Sequence, residues 1–279
     1  MRILLHPGFP KTGSSTFQYG LFLSLERQGL VALRMWRKDD PNEPLDRRPS
    51  SRLFLGQDML ETSLDFADAG DRLCVLSDES FTAPVRLRRN NFGAEAVDPR
   101  QFPARIRDAL RSRHPGADID VLVVLRNQAD LLLSQFVEEY NLVTYKNVNI
   151  LFDERGDVDV HGYQIYEFAT YIGMLEETFG PDHVSVVMFE EWMENPAAFY
   201  QHVARVMRMP IERVARHLDT AHLNRKEKRA DGYLTRNGTL VPFLTAQQRA
   251  SILAAFRASN LRLTEHGFDL QTLTRYGYL

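Results

Sequence analysis

One stretch near the amino end concentrates residues suited to holding a phosphate: Gly8-Phe9-Pro10-Lys11-Thr12-Gly13-Ser14-Ser15-Thr16. Its glycines can bring backbone N–H groups close to an anion, its hydroxyls can donate to oxygens, and its lysine supplies charge. The helix predicted from Ser14 onward adds a dipole that favours an anion at its amino end by ~0.3–1 kcal/mol at an exposed site. Ser14 is equally suited to capping that helix. The chain has 5 lysines against 29 arginines, so Lys11 carries information that a single arginine does not.

Spacing narrows the chemistry. The P-loop of nucleoside triphosphatases reads G-x-x-x-x-G-K-[ST]. Gly8 and Gly13 have that separation, but Ser14 stands at the lysine position and Lys11 lies two residues before the second glycine. No aspartate closing an apolar strand stands out as a holder of Mg²⁺. Both departures weigh against an ATP-dependent small-molecule kinase, which remains one alternative. A nucleotide-binding regulatory protein without turnover is another.

The segment Pro10-Lys11-Thr12-Gly13-Ser14-Ser15 resembles, at every position, the P-K-[ST]-G-[ST]-[ST] loop of sulfotransferases that use 3′-phosphoadenosine 5′-phosphosulfate (PAPS). The flanks Leu5-His6-Pro7-Gly8-Phe9 and Thr16-Phe17-Gln18 look most like bacterial members of that family. The resemblance implies that Lys11 contacts the oxygen bridging sulfur and the 5′-phosphate. It further implies that Thr12 lies in the loop and that Gly13, Ser14, Ser15 and Thr16 cradle that phosphate. The family's 3′-phosphate site has an arginine at the end of a buried strand and a serine eight residues later, which Arg126 and Ser134 match in VLRNQADLLLSQF. An arginine fork suits a phosphate better than a point charge does. A late basic loop often closes over the nucleotide, making Asn224, Arg225 and Lys226 candidates; a solvated charged loop is the alternative, and no RKG tripeptide anchors the comparison.

For the acceptor's proton there are two candidate bases. Glu79, in Leu76-Ser77-Asp78-Glu79-Ser80-Phe81, resembles the glutamate of an S-S-E stretch in bacterial relatives; otherwise it is an acid favoured by a helix amino end. His6 closes the first strand, and an imidazole near neutral pKa suits the task, although a satisfied histidine there is commoner. The chemistry requires no metal, and the 8 histidines form no pair with ligand spacing.

These residues need elements to place them. Apolar runs predict strands at 2–6, 30–35, 72–77, 119–125 and 184–189. Between and after them, apolar spacing predicts helices near 14–28, 51–68, 100–113, 128–142, 163–179, 191–207, 211–219 and 245–259. Residues 36–50 read as an exposed loop, and 221–243 has charge but little periodicity. Strands alternating with helices imply an α/β fold with a central, mainly parallel sheet flanked by helices, and the sulfotransferase resemblance implies that it is of the P-loop nucleotide-binding type. Ligands of such sheets bind beyond the strands' carboxyl ends, where 7–16, 78–80 and 126–134 should lie. One sulfotransferase-like domain over 1–279 is expected.

Composition bounds the rest. With 44% hydrophobic and 25% charged residues, the 279-residue chain is of ordinary globular type. A net charge of −3 argues against a general nucleic-acid binder. No apolar run approaches the ~18–20 residues of a membrane span, and the single cysteine, Cys74, suits a reducing cytoplasm. The expected partner is a carbohydrate, lipid-linked or small-molecule acceptor. Phe136, Tyr140, Tyr145, Tyr163, Tyr166 and Tyr171 could line its cleft, though such spacing more often marks core; the arginines of 86–113 more often mark a solvated face.

Overall fold

The computed structural model describes residues 1–35, 49–59, 61–84, 96–139, 162–220, 227–235 and 238–279. The chain divides into two compact units: Met1–Leu125 with Tyr171–Leu223, and Arg126–Thr170 with Asn224–Leu279.

The first unit is built on five strands: β1 (Arg2–His6), β2 (Val31–Met35), β3 (Leu73–Ser77), β4 (Asp118–Leu125) and β5 (Val184–Met188). All pair in parallel, in the order β2-β3-β1-β4-β5. The expected α/β sheet is therefore present, with β1 at its centre. Ile3, Leu4 and Val121 through Leu125 have no exposed surface. That burial on both faces is why these strands read as unbroken apolar runs rather than alternating ones. The register sets His6 beside Ser77, so the segments leaving β1 and β3 start side by side.

The helix expected over 14–28 forms, but its middle, Thr16–Phe22, is π-helical before α1 (Leu23–Arg27). Bonding from each residue to the fifth along widens the coil. Phe17 and Phe22, which a 3.6-residue turn would point apart, instead touch at 5.8 Å between ring centroids. Both rings also pack on His6, at 5.1 and 5.3 Å.

Several expected helices are broken. The helix expected over 51–68 is two short ones, α2 (Pro49–Phe54) and α3 (Glu61–Leu64). Gly56, at φ +72°, ends the first, with Gln57 N–H donating to the Arg52 carbonyl at 2.9 Å. The helix expected at 100–113 is α4 (Phe102–Arg113), and that at 163–179 shrinks to α6 (Phe168–Phe179) behind a 3₁₀ turn. The helix near 191–207 splits into α7 (Phe189–Glu194) and α8 (Pro196–Met207), because Asn195 caps the second and Pro196 lacks a donor for the first. Helix α9 (Ile211–Thr220) closes the unit.

In the second unit, α5 (Gln128–Glu139) follows directly on Arg126-Asn127. It is held to α10 (Ala246–Leu261) by a buried pair of amides. Gln128 Nε2 donates to Asn260 Oδ1 at 2.8 Å, and Asn260 Nδ2 returns a bond to Gln128 Oε1 at 2.9 Å. Segment 221–243, expected to be irregular, contributes a small antiparallel sheet of β6 (Glu227–Lys228), β7 (Gly232–Leu234) and β8 (Leu240–Pro242). Strands of two or three residues are too short to leave a periodic signal.

Candidate functional site

In the first unit, the turn between β1 and its helix is tightly specified. Lys11 has φ +70° and Gly13 φ +87°. A lysine in the left-handed region carries a strain on the order of 1–3 kcal/mol, of the kind that collects at ligand-binding sites. Thr12 relieves part of the turn's polar demand, its Oγ1 donating to the Phe9 carbonyl at 2.7 Å. The helix then starts by closing on Gly13, whose carbonyl accepts from Thr16 and Phe17 at 2.8 and 3.1 Å. A side chain at Gly13 would place its Cβ 2.8 Å from Trp192 Cζ3. The loop thus lies against α7, where a methyl group on Gly13 would meet the Trp192 ring.

The segment leaving β3 meets this loop. Asp78 is buried; its Oδ1 accepts from Ser80 N–H at 2.9 Å and its Oδ2 from Ser50 N–H at 3.0 Å. Its own N–H donates to the His6 carbonyl at 3.2 Å. Asp78 therefore caps the 3₁₀ turn Glu79–Thr82 and ties it to both β1 and α2. Thr82 Oγ1 adds a bond to the Gly8 carbonyl at 2.7 Å. The consequence is that Glu79 faces the loop: its Oε2 accepts the hydroxyl of Ser14. Ser14 is buried, whereas Lys11, Gly13, Ser15 and Glu79 are partly exposed.

His6, Lys11, Thr12, Gly13, Ser14, Ser15, Thr16 and Glu79 are thus gathered at the carboxyl ends of β1 and β3. Within that group His6, like Thr12, has no exposed surface. Its Nδ1 pairs with Ser77 Oγ at 2.9 Å, and Ser77 Oγ also accepts from Gln18 Nε2 at 3.1 Å. Its Nε2 is buried and finds no partner among the described residues. Burial lowers the His6 pKa to about 4, against a smaller opposing pull from the Glu79 charge.

That shift has a measurable sign. The unfolded ring takes a proton below ~6.5 while the folded ring stays neutral. The stability it contributes is therefore complete above ~6.5 and is lost as pH falls toward 4, by about 2–3 kcal/mol between pH 7 and pH 4.5. Urea unfolding at those two pH values should show a larger acid loss for the natural chain than for His6→Gln. Equal losses would mean that the imidazole titrates alike in both states.

In the second unit, Arg126 is half-buried at the residue following β4, and Ser134 sits half-buried on α5. Asn127 caps this helix, its Oδ1 accepting from Asp130 N–H at 3.0 Å. Asp130 pairs with Arg249 at 2.5 Å. Burial pushes the Asp130 pKa upward, but bonds from Arg249 and Asn127 and the charges of Arg249 and Arg126 hold it below the usual carboxylate range. Asn224, Arg225 and Lys226 lie outside the described residues, as do Tyr140 and Tyr145. Phe136, Tyr163, Tyr166 and Tyr171 are buried, which is the core reading. Half-buried Arg105 and exposed Arg113 face acids of α3 and its flanks.

Sequence reasoning missed three positions that shape the site. Asp78 carried a signal, because an aspartate just before a short turn is a capping residue. Gln18 and Trp192 carried none, since their roles depend on the π-turn and on α7 folding back against Gly13. At the other end of the sheet, Asp118, Asp120 and His183 also cluster. Arg2 pairs with Asp120 at 2.8 Å and Arg208 with Asp118 at 3.5 Å, so these carboxylates are balanced by guanidinium groups. Among the described residues, no helix is long and apolar enough to cross a membrane.

No family model matches the chain, and no curated protein matches it in sequence. Among solved structures, a sulfotransferase from Alicyclobacillus acidocaldarius is similar over 99% of each chain, with a TM-score of 0.56 at 13% identity, which shows a shared fold. A mouse sulfotransferase, SULT7A1 complexed with PAP, is similar over 99% of this chain and 89% of its own. Its TM-score of 0.42 at 12% identity is too low to establish a fold by itself.

Proposed function

We propose that the protein is a PAPS-dependent sulfotransferase acting, in the cytoplasm, on a hydroxyl acceptor, with an amine as the second choice. The observation that carries the reading is the meeting of the Pro10–Ser15 loop with Glu79, where Ser14 joins the two. A strained lysine loop and a carboxylate then share the carboxyl end of a parallel sheet, where ligands of this architecture bind. The fold shared with a sulfotransferase agrees with it.

In this reading the whole chain works as one catalytic domain. PAPS supplies the sulfuryl group on an anionic leaving phosphate. The sulfur–oxygen bond to the 5′-phosphate breaks, a bond from the acceptor oxygen to sulfur forms, and the acceptor's proton goes to Glu79. Adenosine 3′,5′-bisphosphate (PAP) leaves. Such transfers pass through a loose transition state, so the protein's work is positioning and charge stabilisation. Lys11 neutralises charge on the leaving oxygen; Gly13, Ser14, Ser15 and Thr16 offer donors to the 5′-phosphate. Arg126 and Ser134 take the 3′-phosphate, and Asn224, Arg225 and Lys226 are the candidates to close over the nucleotide. His6, enclosed by Phe17 and Phe22, fits a positioning role better than that of a base. Asp78 closes β3 as a Mg²⁺-holding aspartate would, yet both its oxygens are engaged by backbone N–H groups, which weighs against the kinase alternative.

The test is transfer. Incubation of the protein and ³⁵S-labelled PAPS with fractionated cell metabolites should label an acceptor without added metal, and γ-labelled ATP should label none. Labelling from ATP alone would establish the kinase. Tight PAP binding with no transfer to any fraction would favour the non-catalytic alternative.

A further inference from the structure

The bond between Ser14 and Glu79 poses a conflict once an anion enters the loop. A serine hydroxyl has one proton to donate. Here it is committed to a carboxylate, although Ser14 is also one of the loop residues that line the helix start. A phosphate at that start brings further negative charge next to Glu79. We propose that Ser14 transfers its hydrogen bond from Glu79 to the nucleotide's 5′-phosphate, so that nucleotide binding is coupled to proton uptake by Glu79. This rests on reading the loop as a 5′-phosphate cradle.

Two effects act in the same direction. Loss of the Ser14 bond removes support for the charged carboxylate, and a like charge nearby disfavours it again. The titratable groups near Glu79 are His6 at the end of β1, which feels its field, and Asp78 on its own turn, with Lys11 in the loop that carries Ser14. The neutral His6 ring adds no charge. Glu79 has one further consequence for catalysis. A base whose pKa rises toward neutrality when the cofactor is in place sits closer to the range where general bases work best. The coupled step is a protonation only: below neutral pH solvent protonates the carboxylate in a fraction of the complexes, no other bond changes, and the complexes that keep the carboxylate are those in which Glu79 can serve as base.

The probe is PAP, titrated calorimetrically without metal between pH 5.5 and 8, in paired buffers of different ionisation enthalpy. The natural chain should take up more protons near pH 6 than Glu79→Gln does, and the difference should fade by pH 8. Protonation of the free nucleotide is common to both, and His6, its pKa lowered to about 4 by burial, stays neutral across this range. At pH 8 the Glu79→Gln variant should bind PAP about tenfold more tightly than the natural chain, the linkage equivalent of one pKa unit. In a Ser14→Ala background, the same substitution should give a smaller gain, because the contested proton is gone. The pH slope of the natural chain provides a readout even where a variant folds poorly. Identical proton uptake and identical affinity at pH 8 in natural and Glu79→Gln chains would overturn the coupling while leaving the cradle intact. Failure of every chain to bind PAP would overturn the cradle and the coupling together.

Discussion

Replacing Glu79 with glutamine is expected to lower sulfuryl transfer by ~10²–10⁴-fold, the usual contribution of a general base. Glutamine keeps the size and can still accept the Ser14 hydroxyl through its carbonyl oxygen, so the loop should keep its shape. What it cannot do is take the acceptor's proton. Affinity for PAP should therefore not fall, and the loss should lie in turnover. The pH profile gives a second readout: a carboxylate base gives an acidic limb at or above the ~4.3 of free glutamate. A limb near ~6.5 that vanishes in a His6 variant would instead assign the base to His6, against its enclosure between Phe17 and Phe22. Normal turnover by Glu79→Gln would return Glu79 to being the first residue of a capped turn.

Lys11→Met is expected to cost ~10²–10³-fold in turnover, the scale seen when one donor to a developing negative oxygen is lost. Methionine preserves an unbranched side chain on a backbone already held at φ +70°, so the variant separates charge from shape. Because the leaving oxygen gains charge mainly in the transition state, turnover should suffer more than affinity for PAP. Equal losses in both would make Lys11 a binding group only, and retention of near-natural turnover would remove it from the mechanism.

The sheet was legible because its inner strands are buried on both faces; a run such as Val121-Leu122-Val123-Val124-Leu125 has few other homes. The loop was legible because a lysine between two spaced glycines, in a lysine-poor chain, is chemically conspicuous. Less could be read where long-range packing decides local structure. Thr16–Phe22 winds as a π-helix to bring Phe17 and Phe22 onto His6, and no local propensity announces that. Asn195 and Gly56 stop helices whose apolar spacing runs straight past them. The three strands between Glu227 and Pro242 are held by pairing rather than pattern. At the candidate site, Glu79 stands out in the sequence only as a possible base, and its approach to Ser14 depends on Asp78 pinning the turn to His6 and Ser50, a relation spread over three segments.

The proposed cofactor carries both a 5′- and a 3′-phosphate, and the proposal gives the 3′-phosphate to Arg126 and Ser134. Isothermal calorimetry with PAP and with ADP, each in the absence of Mg²⁺, tests it most directly. The two ligands share adenosine and carry their second phosphate in different places, so a difference in affinity reports recognition of the 3′-phosphate. The account predicts tight binding of PAP and binding of ADP weaker by at least ~tenfold, about 1.4 kcal/mol, with the difference reduced in Arg126→Ala. Equal affinity for the two nucleotides, unchanged by that substitution, would contradict it.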